Sequence, residues 1–169
     1  MTRRAFALVL LIAVAAGAEA APTAPGFRLT TLDGRRTLDS NELIGKKIVV
    51  LRFQASYCKP CAKESAALNR VNDRYRPRDV EIVAVHVQDT ATDVRKFVRV
   101  NKATYPVALD PRLAIGNRFG FRGTPYTVVI DRKGEMVERL AGEGAVRRLP
   151  SMRDRLLKEE GPETTAPRS

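Results

Sequence analysis

The sequence predicts an α/β domain on a mixed sheet, and three observations carry that prediction. Apolar runs with strand character (47–54, 80–87 and 126–130) alternate with segments of helical period. The first run leads directly into Cys58-Lys59-Pro60-Cys61, which opens a helix. The last passes through Asp131-Arg132-Lys133-Gly134 into Glu135-Met136-Val137, a hairpin that makes the sheet mixed rather than all parallel.

Each element has its own signal. Phe27 to Thr30 and Arg36 to Leu38 flank Asp33-Gly34, a turn pair that favours an N-terminal β-hairpin. Asp39-Ser40-Asn41 offers caps for a short helix that stops at Gly45. The helix opened by the cysteines runs to about Tyr75 and is ended by Pro77. Thr90 or Thr92 caps the next helix, on which Val94, Phe97 and Val98 recur at helical spacing. Pro106 to Leu109 is a short extended piece, and a helix follows from Leu113 to Phe119, with Gly120 at its end. The last helix lies within 142–158. No internal repeat is present.

The N-terminus indicates export. Arg3-Arg4 precedes an apolar run from Ala5 to Ala18, and Ala18-Glu19-Ala20 has the small-x-small pattern of a cleavage site. Residues 1–20 therefore read as a signal peptide, 21–160 as one domain and 161–169 as a polar, Pro-containing disordered tail. The apolar run is shorter than the roughly 20 residues that span a bilayer; left uncleaved, it becomes a membrane anchor. The expected location is the periplasm or another extracytoplasmic space, where disulfides persist.

The 169 residues carry 30 Lys and Arg against 19 Asp and Glu, a net charge of +11. The basic residues are dispersed, no Trp is present and no aromatic stacking platform accompanies them, so a solvated basic surface is expected rather than nucleic-acid binding. Two cysteines are too few for a disulfide framework or a four-cysteine zinc site. No metal or cofactor is expected.

The pair can instead cycle between dithiol and disulfide. A helix N-terminus offers free N–H groups and a partial positive charge, which favour a thiolate. At this spacing the second thiol can attack a mixed disulfide formed by the first. A static local disulfide would use the same two residues; the strand–CxxC–helix context favours the redox pair.

These residues resemble the exported thioredoxin-fold thiol–disulfide oxidoreductases of the TlpA/ResA kind, an AhpC/TSA-related group that includes reductases serving cytochrome c maturation. The resemblance covers about 24–157. It rests on the Pro25-Gly26-Phe27 and Leu32-Asp33-Gly34 hairpin, the junction from Phe53 to Cys61, Glu64 three positions after the second cysteine, the helix-bearing insertion after the second core strand, and Gly123-Thr124-Pro125 before the next strand. It implies a thioredoxin-like fold with an N-terminal β-hairpin and a helix-bearing central insertion. It also implies a cis Thr124–Pro125 bond facing the cysteines.

Three departures stand out. Gln54 occupies a position where the family usually has Trp, whereas Tyr57 keeps its aromatic. Arg52 stands where thioredoxins carry a buried acid, and Ala66 replaces a proline. An unpaired buried guanidinium costs several kcal/mol, so Arg52 either reaches solvent or pairs with an acid, for which Glu64 is the candidate.

The expected catalytic set is Cys58 as attacking thiolate, Cys61 as resolving thiol, Glu64 as base and Pro125. Tyr57, Lys59, Pro60 and Thr124 are the expected substrate contacts. His86, the only histidine, lies in an apolar run and reads as a core residue. The expected partners are protein disulfides or thiols and a membrane or periplasmic electron donor, with the enzyme a monomer. A peroxiredoxin-like peroxidase would need Thr three residues before its reactive cysteine, where Cys58 has Ala55. A copper-binding chaperone would use Cys58, Cys61 and His86.

Overall fold

The computed structural model describes residues 21–77 and 79–159, so the leader expected over 1–20 and the tail expected over 161–169 lie outside them. Strands β1 (Arg28–Thr30) and β2 (Thr37–Asp39) form the antiparallel N-terminal hairpin. Its turn is held by Asp33, which accepts from the Thr31 hydroxyl at 2.6 Å and the Arg35 N–H at 3.1 Å, and by Gly34 at φ 71°. Asp39 then caps the four-residue helix α1 (Ser40–Leu43).

Five strands make the main sheet in the order β5-β4-β3-β6-β7. They are β3 (Ile48–Gln54), β4 (Val80–Val87), β5 (Val107–Asp110), β6 (Tyr126–Ile130) and β7 (Met136–Ala141). The first three are parallel, while β6 pairs antiparallel with both β3 and β7. Every residue of β3, β4 and β6 is buried. That accounts for their nearly continuous apolar sequences, since a central strand is covered on both faces.

The helices are α2 (Lys59–Tyr75), α3 (Ala91–Val100), α4 (Ala114–Arg118) and α5 (Ala145–Glu159). One face of the sheet presents Val49, Leu51 and Phe53 to Phe27, Leu29 and Leu38 of the hairpin segment and to Phe119. The other presents Ile48 and Val50 to Leu68 and Tyr75 of α2 and to Leu149 and Met152 of α5. Each such side chain contributes about 1.5–3 kcal/mol when fully buried. Side chains alternate along a strand, so Arg52 and Gln54 fall on the second face, beneath α2.

Three boundaries differ from the sequence expectation. Strand β7 runs to Ala141 rather than ending near Val137, because a register shift at Val129/Ile130 lets it continue pairing with β6. Helix α5 begins at Ala145 rather than near 142, since Gly142 and Gly144 sit at φ 81° and 91°. Leu113 precedes α4 at φ 58° and gives no side-chain cap. Asp110 supplies it from the end of β5, accepting from Ile115 and Gly116 N–H at 3.0 and 2.7 Å.

Candidate active site

Strand β3 delivers the chain to the C-terminal edge of the sheet, where Ser56 and Tyr57 turn it into α2. Cys58 is the N-cap of that helix: its Sγ accepts the Cys61 N–H at 3.2 Å, and its carbonyl accepts the Ala62 N–H at 3.1 Å. The Cys58 N–H in turn donates to the Ala55 carbonyl at 3.1 Å. Pro60 is at the second helical position, where a missing N–H costs little. Cys58 and Cys61 form a disulfide.

Both cysteine residues are buried, Cys61 slightly the deeper. Cys58 retains 5% of its surface and Cys61 only 1%; both pack with Ala55, Phe97 and the partly buried Ala62. Lys59 is exposed beside them, and Tyr57 is 65% exposed, an unusual position for a large aromatic ring. Tyr57 borders a groove of about 360 Å³ whose other walls include Ala62, Phe97 and the exposed Val100 of α3.

Residues 124 and 125 reach the same corner. Tyr126 pairs with Phe53, so Thr124-Pro125 lies at the end of β6 beside the β3–α2 junction. The Thr124–Pro125 peptide is cis, as the family resemblance implied. Pro125 is buried and its carbonyl accepts the Gly142 N–H at 2.8 Å, while Thr124 is partly exposed.

Arg52 does not reach solvent. It is 1% exposed and is held by two partners, Nη2 donating to Glu64 Oε2 and Nη1 to Thr127 Oγ1 at 3.0 Å. Burial pulls its guanidinium below the ordinary arginine value, and the charge and hydrogen bond of Glu64 oppose that shift. The second oxygen of Glu64 accepts the Gly144 N–H at 2.7 Å. Glu64 thus joins α2, β3 and the entry to α5.

A second polar cluster was not read from the sequence. Asp89 accepts from both the N–H and the hydroxyl of Ser56, at 2.6 and 2.7 Å. His86, fully buried, places Nδ1 2.9 Å from Asp89 Oδ2 and Nε2 2.8 Å from Gln54 Nε2. The buried Tyr105 hydroxyl bonds Ser65 at 2.8 Å and interacts with Gln54. Burial raises the Tyr105 pKa, with the bonds to Ser65 and Gln54 and the charge of Arg52 opposing it. The available signal was the pair of polar residues Gln54 and His86 near the ends of mainly apolar strands, which the β3–β4 register sets opposite each other.

The AhpC/TSA family model matches residues 21–139. The chain belongs to that family. Among its relatives, the thiol-disulfide oxidoreductase ResA of Bacillus thuringiensis is 35% identical over 120 residues, covering 71% of this chain and 68% of the relative. ResA of Halalkalibacterium halodurans is 32% identical over 121 residues, covering 72% and 68% of the two chains. Among solved structures, the DsbE-type thiol:disulfide interchange protein of Chlorobium tepidum superposes with a TM-score of 0.70. It is 26% identical and the match covers 82% of this chain and 96% of that one. This AhpC/TSA-family chain is a thiol–disulfide oxidoreductase with a thioredoxin-like fold.

Proposed function

We propose that this oxidoreductase is an extracytoplasmic reductase of protein disulfides, with cytochrome c maturation as its setting. The observation that carries the reading is the Cys58–Cys61 disulfide at the first turn of α2, with Cys58 as N-cap and the less buried of the two. The Arg3-Arg4 leader pattern supports export, and the Lys59-Pro60 dipeptide resembles those of reducing family members. Among the described residues no helix is long and apolar enough to cross a membrane.

In the reduced enzyme the Cys58 thiolate attacks one sulfur of a substrate disulfide. A Cys58–substrate bond forms and the other substrate sulfur leaves as a thiolate. Cys61 gives its proton to Glu64 and attacks the Cys58 sulfur. The Cys58–Cys61 bond forms, the second substrate sulfur leaves, and the substrate has gained two electrons. A dithiol donor in the membrane or periplasm restores the enzyme by the reverse exchange.

The neighbouring residues fit substrate handling. Tyr57 and the groove toward Val100 offer apolar surface next to Cys58. Lys59 adds positive charge near the attacking sulfur, and Pro60 shapes the first helical turn. Thr124 presents backbone to an extended substrate segment, while Pro125 brings no competing N–H. His86 is engaged at both ring nitrogens, which disfavours the copper-chaperone alternative.

The test is insulin reduction by the mature protein with a dithiol supply, together with the glutathione equilibrium of the Cys58–Cys61 pair. Turnover and a potential nearer thioredoxin's about −270 mV than DsbA's about −120 mV support a reductase. A potential near DsbA's, with no turnover, refutes it.

A further inference from the structure

We infer that His86 and Asp89 are positioning residues for the redox cysteines, holding from beneath the loop that presents Cys58; this rests on the oxidoreductase reading of Cys58 and Cys61. Ser56 lies two residues before Cys58, and Asp89 grips it at both the backbone N–H and the hydroxyl. Hydrogen bonds to an ionised group are the stronger kind, so the grip is strong for so short a loop. His86 adds a third bond to the same carboxylate.

The donor and acceptor roles follow from chemistry. Burial pushes the Asp89 carboxyl up, but the bonds from the Ser56 hydroxyl, His86 and the Ser56 N–H outweigh it and leave the pKa lowered. Ionised Asp89 can only accept, so the proton sits on His86 Nδ1 and Nε2 accepts from the Gln54 amide. Burial lowers the His86 pKa against the opposing effect of Asp89, which keeps the ring neutral at neutral pH. The chain continues through Gln54 and Tyr105 to Ser65, four residues after Cys61 and on its helical face. One polar chain is therefore anchored on both sides of the cysteine pair.

Asp89 is also a negative charge beneath the Cys58 loop. Other charged groups at this corner are Arg52 paired with Glu64, Lys59 at the start of α2, and Asp93 and Lys96 on α3. Removing the Asp89 charge while keeping its size favours the Cys58 thiolate. Removing a donor to Asp89 leaves its charge less compensated and disfavours the thiolate.

The experiment measures the pH profile of Cys58 alkylation in the reduced protein and the glutathione equilibrium of the pair. Asp89→Asn should raise the alkylation rate at pH 6 by about fivefold, since one pKa unit is tenfold in thiolate. Its equilibrium should move about threefold toward the dithiol, roughly 14 mV less negative. His86→Leu should lower the rate at pH 6 by about threefold, and His86→Asn, which keeps a donor at the Nδ1 position, should restore it to within about twofold of wild type. Ser56→Ala, in a partly exposed loop, should act in the same sense as His86→Leu and serves if the buried variants do not fold. Variants that lose stability while profile and equilibrium stay at wild-type values overturn the inference and leave the oxidoreductase reading intact. A wild-type pair that neither equilibrates with glutathione nor reduces insulin overturns both.

Discussion

Arg52 donates to Glu64 across the interface between β3 and α2, and that ion pair explains a guanidinium buried where a sheet core would otherwise be apolar. The same carboxylate accepts the Gly144 N–H at the entry to α5, so three elements meet on one side chain. Losing one partner of a buried pair leaves an uncompensated charge and costs about 3–5 kcal/mol. Glu64 keeps 15% of its side-chain surface, which places the expected loss near the lower end, about 3 kcal/mol. Urea unfolding of Glu64→Gln measures it, and the double variant Arg52→Leu with Glu64→Gln should recover most of the loss. A loss below about 1 kcal/mol, the range of exposed pairs, would show that the pair is not structural.

The cysteines should divide the labour according to burial. Cys58→Ser should abolish insulin reduction, because no other thiolate stands at the helix start. Cys61→Ser should trap mixed disulfides with substrate, visible on non-reducing gels, because the resolving thiol is gone. If Cys61→Ser were the variant that lost all alkylation at neutral pH, the roles would be reversed.

Most of the fold was legible from the chain, and the reasons are local. Strands β3, β4 and β6 read as apolar runs because both of their faces are covered. Asp39 and Thr90 lie beside the helices that they cap, so their roles could be read at short range. The Arg52–Glu64 pair was reachable because a buried arginine demands an acid and few acids lie nearby. What escaped depends on register and on long-range partners. Asp110 caps α4 from the preceding strand, and Asp89 reaches back to Ser56 across the sheet edge. The His86–Gln54 contact exists only because β3 and β4 align in parallel at those two residues.

His86 and Asp89 give folding stability a pH dependence of definite sign. The His86 pKa is lowered below its ordinary 6.5, so the unfolded chain binds the proton more tightly. Its contribution is complete above about pH 6.5 and is lost as pH falls from there through the folded-state value. The lowered Asp89 pKa acts the same way further down, its contribution falling away only below the ordinary 3.8. Stability should therefore decline as pH drops below about 6.5, with a slope approaching about 1.4 kcal/mol per pH unit for the histidine proton. His86→Asn should flatten that slope in urea titrations between about pH 6.5 and 5. An unchanged slope would show that His86 is not what couples folding to protons there.

Glu64 should also set how readily Cys61 resolves the mixed disulfide. Cys61 is 1% exposed, so water has poor access to its proton. Glu64 lies three residues further along α2, one turn away on the same side of the helix. Its carboxylate is fixed by Arg52 and Gly144, yet two oxygens offer about four acceptor sites, which leaves capacity for a proton. Positioned general bases contribute about 10²–10⁴-fold; a partly exposed base already engaged by Arg52 and Gly144 belongs at or below the low end. Stopped-flow measurement of Glu64→Gln should show an unchanged first attack by Cys58 and a resolution step slowed about tenfold or more, most clearly below neutral pH. Arg52→Leu separates this from packing, since it breaks the ion pair but keeps the carboxylate and should leave resolution faster than in Glu64→Gln. Equal slowing of both steps, or of neither, would reduce Glu64 to a structural partner of Arg52.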